Sequence, residues 1–305
     1  MEIADYIRDR RAEVDAALAT VLPRPPECPL PVSEAMQYSL TAGGKRLRPI
    51  LCLASADAVG GRREHALPAA CAIELIHTYS LIHDDLPAMD DDTMRRGRPT
   101  LHVVAGEGMA ILAGDGLLTE AFGLIARQPS STDPVVVERK LRVVAVIAAA
   151  AGATGMVGGQ ALDLACVTPG ADGRLAPPLE AEALTTMHAK KTGALIRGSA
   201  VAGAIMGGGS SAQIDAIDTA AAELGLAFQI VDDILDVEGA SAALGKTAGK
   251  DAAAGKPTYP ARYGVDRSRA MAAECLQRAE ATLRGAGLAD SMLPGIGRWI
   301  VERSN

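Results

Sequence analysis

Two aspartate clusters carry the chemistry open to this chain. In HTYSLIHDDLPAMDDDTMRRGRPT, from His77 to Thr100, Asp84, Asp85, Asp90, Asp91 and Asp92 lie close together, and Arg95, Arg96 and Arg98 follow directly. The second cluster, QIVDDILD, supplies Asp232, Asp233 and Asp236. An isolated charge run is usually a solvated face. Here both clusters interrupt apolar helical patterns, the first after Ile73, Leu75, Ile76 and Ile82, the second among Phe228, Val231 and Leu235. Carboxylates at the mouth of a buried helix suit Mg²⁺, which takes a few carboxylates together with phosphate oxygens. The arginines add fork-shaped donors for phosphate.

The spacing inside the clusters sets expectations for geometry. His77, Ser80 or Leu81, and Asp84 fall on one helical stripe. Asp84 and Asp90 would stand about 240° apart on an unbroken helix. Pro87 cannot continue one, so the chain is expected to loop out there and return Asp90 beside Asp84. Gln229, Asp232, Asp233 and Asp236 read as one polar stripe. A third stretch, GGKRLRP, pairs a Gly43–Gly44 turn with Lys45, Arg46 and Arg48 at the start of a helix. Cations oppose the dipole there, and a bound anion would resolve the conflict, although a solvated basic turn is the plainer alternative. Glu74 and His77 form an ExxH pair, but a di-iron bundle needs a second one, and the sequence has none.

These motifs, in this order, resemble the trans-prenyl diphosphate synthases of the polyprenyl synthetase family, most closely the bacterial farnesyl diphosphate synthase type. The resemblance runs from GGKRLRP at Gly43 to GKPTYP at Pro260 and includes DDLPAMD, GGQALDL, KKTGALI and DDILD. It implies an all-α isoprenoid synthase fold, a helical bundle around a deep central cavity. It implies catalytic roles for Asp84, Asp85, Asp90, Lys191, Thr192, Gln229 and Asp232. Isopentenyl diphosphate would be held by Gly44, Lys45, Arg48, His77 and Arg96, and the allylic diphosphate by Arg95, Lys191 and Lys246. Asp84 and Asp90 would bind two Mg²⁺ ions and Asp232 a third, with Asp236 a further ligand. Gln160 and Asp163 would line the site. The glycine-rich stretch from Gly239 to Pro260, with Lys250 and Lys256, reads as a lid.

The elements that must position these residues are helices. The chain of 305 residues is 49% hydrophobic but only 3% aromatic, with Ala and Leu in place of the residues that sheets prefer. No linker splits it, so one domain, 1–305, is expected. Helices are expected over 2–22, around Met36 to Leu40, from Pro68, over Ala105–Gln128, Val135–Gly159, Ser211–Val237, Asp266–Leu283 and Ser291–Arg303. A net charge of −7 argues against a nucleic-acid surface. Val143–Leu162, the longest uncharged stretch, carries four glycines and suits a membrane span poorly. Five scattered cysteines without a CxxC pair read as free thiols of the cytoplasm.

The implied reaction is head-to-tail condensation of isopentenyl diphosphate with dimethylallyl or geranyl diphosphate to give (2E,6E)-farnesyl diphosphate. Tyr79, beside Ser80, would be the floor that stops growth at fifteen carbons. Geranylgeranyl or geranyl diphosphate is the alternative product. A class I terpene cyclase has no use for a second diphosphate site, and a non-catalytic partner subunit would be expected to have lost a motif. The family's habit is the homodimer.

Overall fold

The computed structural model describes residues 2–168, 179–239 and 258–303. Lys246, Lys250, Lys256 and the stretch 169–178, which the sequence marks as a polar loop, lie outside the described residues. Almost everything described is helix: α1 (Ile3–Val21), α2 (Leu30–Leu40), α3 (Leu47–Ala58), α4 (Arg63–Asp84), α5 (Leu101–Ala105), α6 (Glu107–Arg127), α7 (Pro134–Ala151), α8 (Met156–Val167), α9 (Ala181–His188), α10 (Ala194–Gly207), α11 (Ser211–Gly239), α12 (Tyr259–Tyr263), α13 (Val265–Gly285) and α14 (Met292–Glu302). A two-residue hairpin, β1 (Met94–Arg95) and β2 (Arg98–Pro99), is antiparallel.

α4 is the centre of the bundle, packed against α3, α6 and α10. Ile73, Leu75 and Ile76 are fully buried, and each such side chain contributes about 1.5–3 kcal/mol on leaving water. A second apolar cluster joins α11 to α12 and α13 through Ile230, Ile234, Tyr259 and Cys275. The first half of α11 shares the main core with α4 through Ile214, Ile217 and Leu224, its second half is held by this cluster, and the polar ends of the two helices meet at one cavity.

Two helix boundaries differ from the sequence expectation. α4 begins at Arg63, not Pro68, and takes the proline inside. The missing N–H costs only one bond, to a carbonyl in the first turns. The stretch expected as one helix from Val135 to Gly159 is two, broken between Ala151 and Met156. At Gly155 the backbone folds so tightly that a Cβ would lie 2.1 Å from the Ala150 carbonyl oxygen. Asp133 caps α7 as expected, accepting from the Val135 amide at 2.9 Å.

By length and composition, Glu107–Arg127 and Pro134–Val167 are apolar enough to cross a membrane, which the sequence reading did not expect of any stretch. The second is interrupted at the Ala151–Met156 break, α6 lies along α4, and α7 lies along α10. Their outer faces leave Ile111, Leu112, Val137 and Leu141 exposed, and the neighbouring α5 leaves Val103 and Val104 exposed.

Candidate active site

The cavity between these helices measures about 1490 Å³ and is lined by both aspartate clusters and by the basic turn. The end of α4 behaves as Pro87 requires. After Asp85 the chain turns, and the Asp90 amide donates back to the Asp84 carbonyl at 2.9 Å. Asp84 and Asp90 are thus neighbours in the cavity wall. Burial, then the charges of Asp90 and Asp85, push the Asp84 carboxyl up to about 6, while Lys191 and Arg95 pull the other way. Asp85 turns out of this cavity. It is 4% exposed and receives the Arg95 guanidinium at 2.7 Å, so it fixes the direction of Arg95, which also approaches Asp92 at 3.6 Å.

The hairpin turn after Arg95 places Arg96 in the left-handed region, φ 51°, an uncommon and costly conformation for a residue with a side chain. Its guanidinium donates to the Gly43 carbonyl and lies on Gly44, where a Cβ would come within 2.8 Å of the guanidinium carbon. Gly44, at φ 133°, therefore serves two ends: the turn itself and the seat of Arg96. Lys45, Arg48 and His77 complete this wall.

Arg48 is the telling member. Its Nε is buried without a hydrogen-bond partner, and among the described residues no ion pair includes it. Burial pushes it down to about 10 against the pull of Glu74 and Asp232. The same burial, with Arg48 and Arg96 nearby, holds His77 well below its ordinary value. His77 is therefore a neutral imidazole at neutral pH and offers a hydrogen bond, not a charge.

Arg46, grouped by sequence with Lys45 and Arg48, turns the opposite way. It bonds Asp15 at 2.8 Å, Glu74 at 2.6 Å and the Leu40 carbonyl at 2.8 Å, with a side chain 3% exposed. Glu74 is thereby committed to an ion pair, which removes the metal-binding ExxH alternative.

On the opposite helices, the KKTG segment forms a π-helical turn, Ala189–Gly193. Such turns recur at functional sites. This one aims Lys191 at Asp163 of α8 with an ion pair and Thr192 at Gln229, to which its hydroxyl donates at 2.8 Å. Gln160, Asp163, Asp232 and Asp236 all line the cavity. Asp233 also borders the cavity, but its carboxylate is committed to protein groups. It is 4% exposed and accepts from Gln229 and from the Tyr259 amide. Tyr79 is buried beside the cavity, edge-on to His83 with ring centres 5.7 Å apart, and Ser80 lines the wall next to it.

One site residue escaped the sequence reading. Arg303, just beyond α14, lies 3.9 Å over the Phe228 ring and donates to the Phe228 carbonyl at 3.0 Å and to Asp232 at 3.1 Å. No motif surrounds it; the one signal is a basic residue closing an amphipathic terminal helix.

The donor set fits Mg²⁺. Among the described residues no three carboxylate, imidazole or thiolate groups are gathered to hold a metal by themselves. Mg²⁺ needs only one or two carboxylates when phosphate oxygens and water supply the rest. The raised Asp84 carboxyl, crowded by Asp90 and Asp85, is the charge imbalance that a divalent cation relieves.

Comparison with known proteins agrees with this geometry. The sequence profile described as polyprenyl synthetase matches residues 30–284. The large subunit 1 of a heterodimeric geranylgeranyl pyrophosphate synthase of Arabidopsis thaliana chloroplasts is 45% identical over 100% of this chain and 80% of its own. Geranylgeranyl pyrophosphate synthase 3 of the same plant, also chloroplastic, is 49% identical over 90% of this chain and 74% of its own. The crystal structure of an FPP/GFPP synthase from Zymomonas mobilis superposes with a TM-score of 0.84 at 37% identity, covering 98% of both chains.

Proposed function

Since the chain belongs to the polyprenyl synthetase family, whose prenyltransferases use Mg²⁺, we propose that it adds isopentenyl diphosphate to allylic diphosphates up to geranylgeranyl diphosphate. The observation that carries the two-substrate reading is Arg48, a half-buried guanidinium whose Nε is buried without a hydrogen-bond partner and which no described carboxylate bonds, in the cavity wall with Lys45, His77 and Arg96. A second anion site has no use in a cyclase.

In this reading the acceptor diphosphate rests on Lys45, Arg48, His77 and Arg96, and the allylic diphosphate faces Arg95 and Lys191. About three Mg²⁺ ions, held by Asp84, Asp90, Asp232 and Asp236, would neutralise the leaving diphosphate. Lys191, fixed by Asp163, and Arg95, fixed by Asp85, keep their charges aimed where negative charge develops. Thr192 and Gln229 present oxygen dipoles to the allylic cation. The acceptor's double bond adds to that cation, and the new tertiary cation loses a proton to the released diphosphate, so no side-chain base is required. Lys246 is proposed as an additional diphosphate ligand.

The two geranylgeranyl pyrophosphate synthases named above support a twenty-carbon product, while the solved Zymomonas mobilis relative is named for other products. One observation favours the fifteen-carbon product instead: the buried Tyr79 ring, five residues below Asp84, about 7.5 Å along the helix. Incubating the purified chain with Mg²⁺, labelled isopentenyl diphosphate and geranyl diphosphate, and weighing the products, tests both. We expect the twenty-carbon product, with Tyr79→Ala changing its length little because the tail passes on the Ser80 side. If the wild type stops at fifteen carbons and Tyr79→Ala moves on to twenty or more, the tyrosine is the floor. No incorporation of label would remove the reading altogether.

The chain is also proposed to act as a homodimer in the cytoplasm. Val103, Val104, Ile111 and Leu112 are left exposed, more apolar surface than scattered residues explain, and a second copy would cover it. Five free cysteines, four of them buried, support a reducing compartment. Sedimentation equilibrium should give twice the chain mass of 31.3 kDa; a single-chain mass at micromolar concentration would reject the dimer.

A further inference from the structure

Asp233 sits in the second aspartate cluster, yet its carboxylate is turned toward protein. It accepts from the Tyr259 backbone N–H at Oδ2, 3.0 Å, and from Gln229 Nε2 at Oδ1, 2.7 Å. We propose that Asp233 is a positioning residue that sets the direction of the dipole facing the allylic cation, by fixing which end of the Gln229 amide meets Thr192. This rests on the reading above, in which Thr192 and Gln229 flank that cation.

An ionised carboxylate only accepts hydrogen bonds. The Gln229 atom against Asp233 is therefore the amide nitrogen, assigned from the bonding network as amide orientations are. Gln229 Oε1 then points at Thr192, whose hydroxyl donates to it at 2.8 Å. A hydroxyl has one proton and two lone pairs. With the proton committed to Gln229, Thr192 offers the cavity lone pairs alone, the negative end of its dipole. The reversed amide would set Oε1 against Oδ1 of Asp233 and give Thr192 an N–H to accept. Its hydroxyl proton would then be free to face the cavity, the wrong sign for a carbocation. Fixed dipoles of the right sign need no reorganisation as charge develops.

The isosteric variant Asp233→Asn reverses this sign. The Tyr259 N–H belongs to the backbone and cannot turn over, so it keeps the oxygen of the introduced amide on its own side. The nitrogen of that amide then faces Gln229, which must flip to offer its oxygen, and Thr192 becomes an acceptor. Adding Gln229→Glu restores the original direction, because a glutamate accepts both from the introduced amide and from the Thr192 hydroxyl.

The experiment measures kcat and KM for both substrates in the wild type, Asp233→Asn, and Asp233→Asn/Gln229→Glu. Calorimetry adds the affinity for an allylic diphosphate analogue with an ammonium nitrogen at the cation position, relative to its neutral carbon isostere. Asp233→Asn should lower kcat about 100-fold, leave both KM values within about threefold, and erase the preference for the ammonium analogue. The double variant should recover at least about tenfold in kcat and regain that preference. Asp233→Asn at wild-type kcat, or a folded double variant no better than the single one, would overturn the proposal. If Asp233→Asn alone does not fold, the double variant decides: active and ammonium-preferring supports the coupling, folded and inactive removes it. A wild type that condenses nothing sinks the prenyltransferase reading itself, a result distinct from an active wild type whose variants show no coupling.

Discussion

Asp84→Ala should lower kcat by at least about 100-fold at saturating Mg²⁺, and Asp232→Ala should do the same. Each removes a charge-organising group from the ionisation step, and the loss of one such group costs about 2.7–4 kcal/mol, or 10²–10³ in rate. Near-wild-type turnover in either variant would reject the assignment. The metal-free protein should respond with the opposite sign. The Asp84 carboxyl rises from its ordinary 3.8 to about 6 on folding, chiefly through burial. Between those values the native state holds a proton that the unfolded chain has released, so stability falls as pH rises from about 4 through 6. Above 6 the full cost is in place. Asp84→Ala should therefore raise the thermal midpoint of the metal-free protein at pH 7 while abolishing its activity, and the gain should vanish below pH 4. Mg²⁺ affinity by calorimetry should weaken as pH drops through 6, because the ligand must be ionised. An Asp84→Ala midpoint below the wild type's in the absence of metal would show that the carboxylate is already well solvated.

The sequence carried the long amphipathic helices and the chemistry at their ends, because period and residue type are local properties. Pro87 alone was enough to foresee Asp90 folding back on Asp84, now seen in their 2.9 Å backbone bond. What it could not carry was direction where neighbours decide it. Arg46 and Arg48 are the same residue type two positions apart, yet the left-handed Arg46, φ 51°, sends its side chain to Asp15 and Glu74 on two other helices. Asp232 and Asp233 read as one stripe, but they stand about 100° apart on a helix. That step is the difference between an exposed carboxylate that meets Arg303 and a buried one that holds Gln229 and Tyr259. The π-helical turn that aims Lys191 and Thr192 has no periodic signature, and Arg303 reaches Asp232 across 71 residues. Asp85 shared its motif with Asp84, and only the path of the hairpin reveals that it serves Arg95.

Arg48→Ala should raise KM for isopentenyl diphosphate about 100-fold, with a much smaller change in kcat and in KM for the allylic substrate. Charge-assisted hydrogen bonds are worth about twice neutral ones, and bonds to charged groups contribute about 1.5–3 kcal/mol each. A fork that donates more than one of them to a diphosphate accounts for that factor. The acceptor does not ionise, so a cation dedicated to it affects binding more than chemistry. The unliganded protein provides a second readout. Arg48 is pushed down to about 10 by burial, with no ion pair to it among the described residues, so its charge is a cost until an anion arrives. Removing it should leave the unliganded thermal midpoint unchanged or higher, and should largely abolish the rise in midpoint that isopentenyl diphosphate produces. A variant that merely misfolded would lose stability with and without ligand alike. Equal loss of affinity for both substrates would mean that Arg48 serves the allylic pocket too, and that the two diphosphates do not divide between the basic wall and the aspartate clusters.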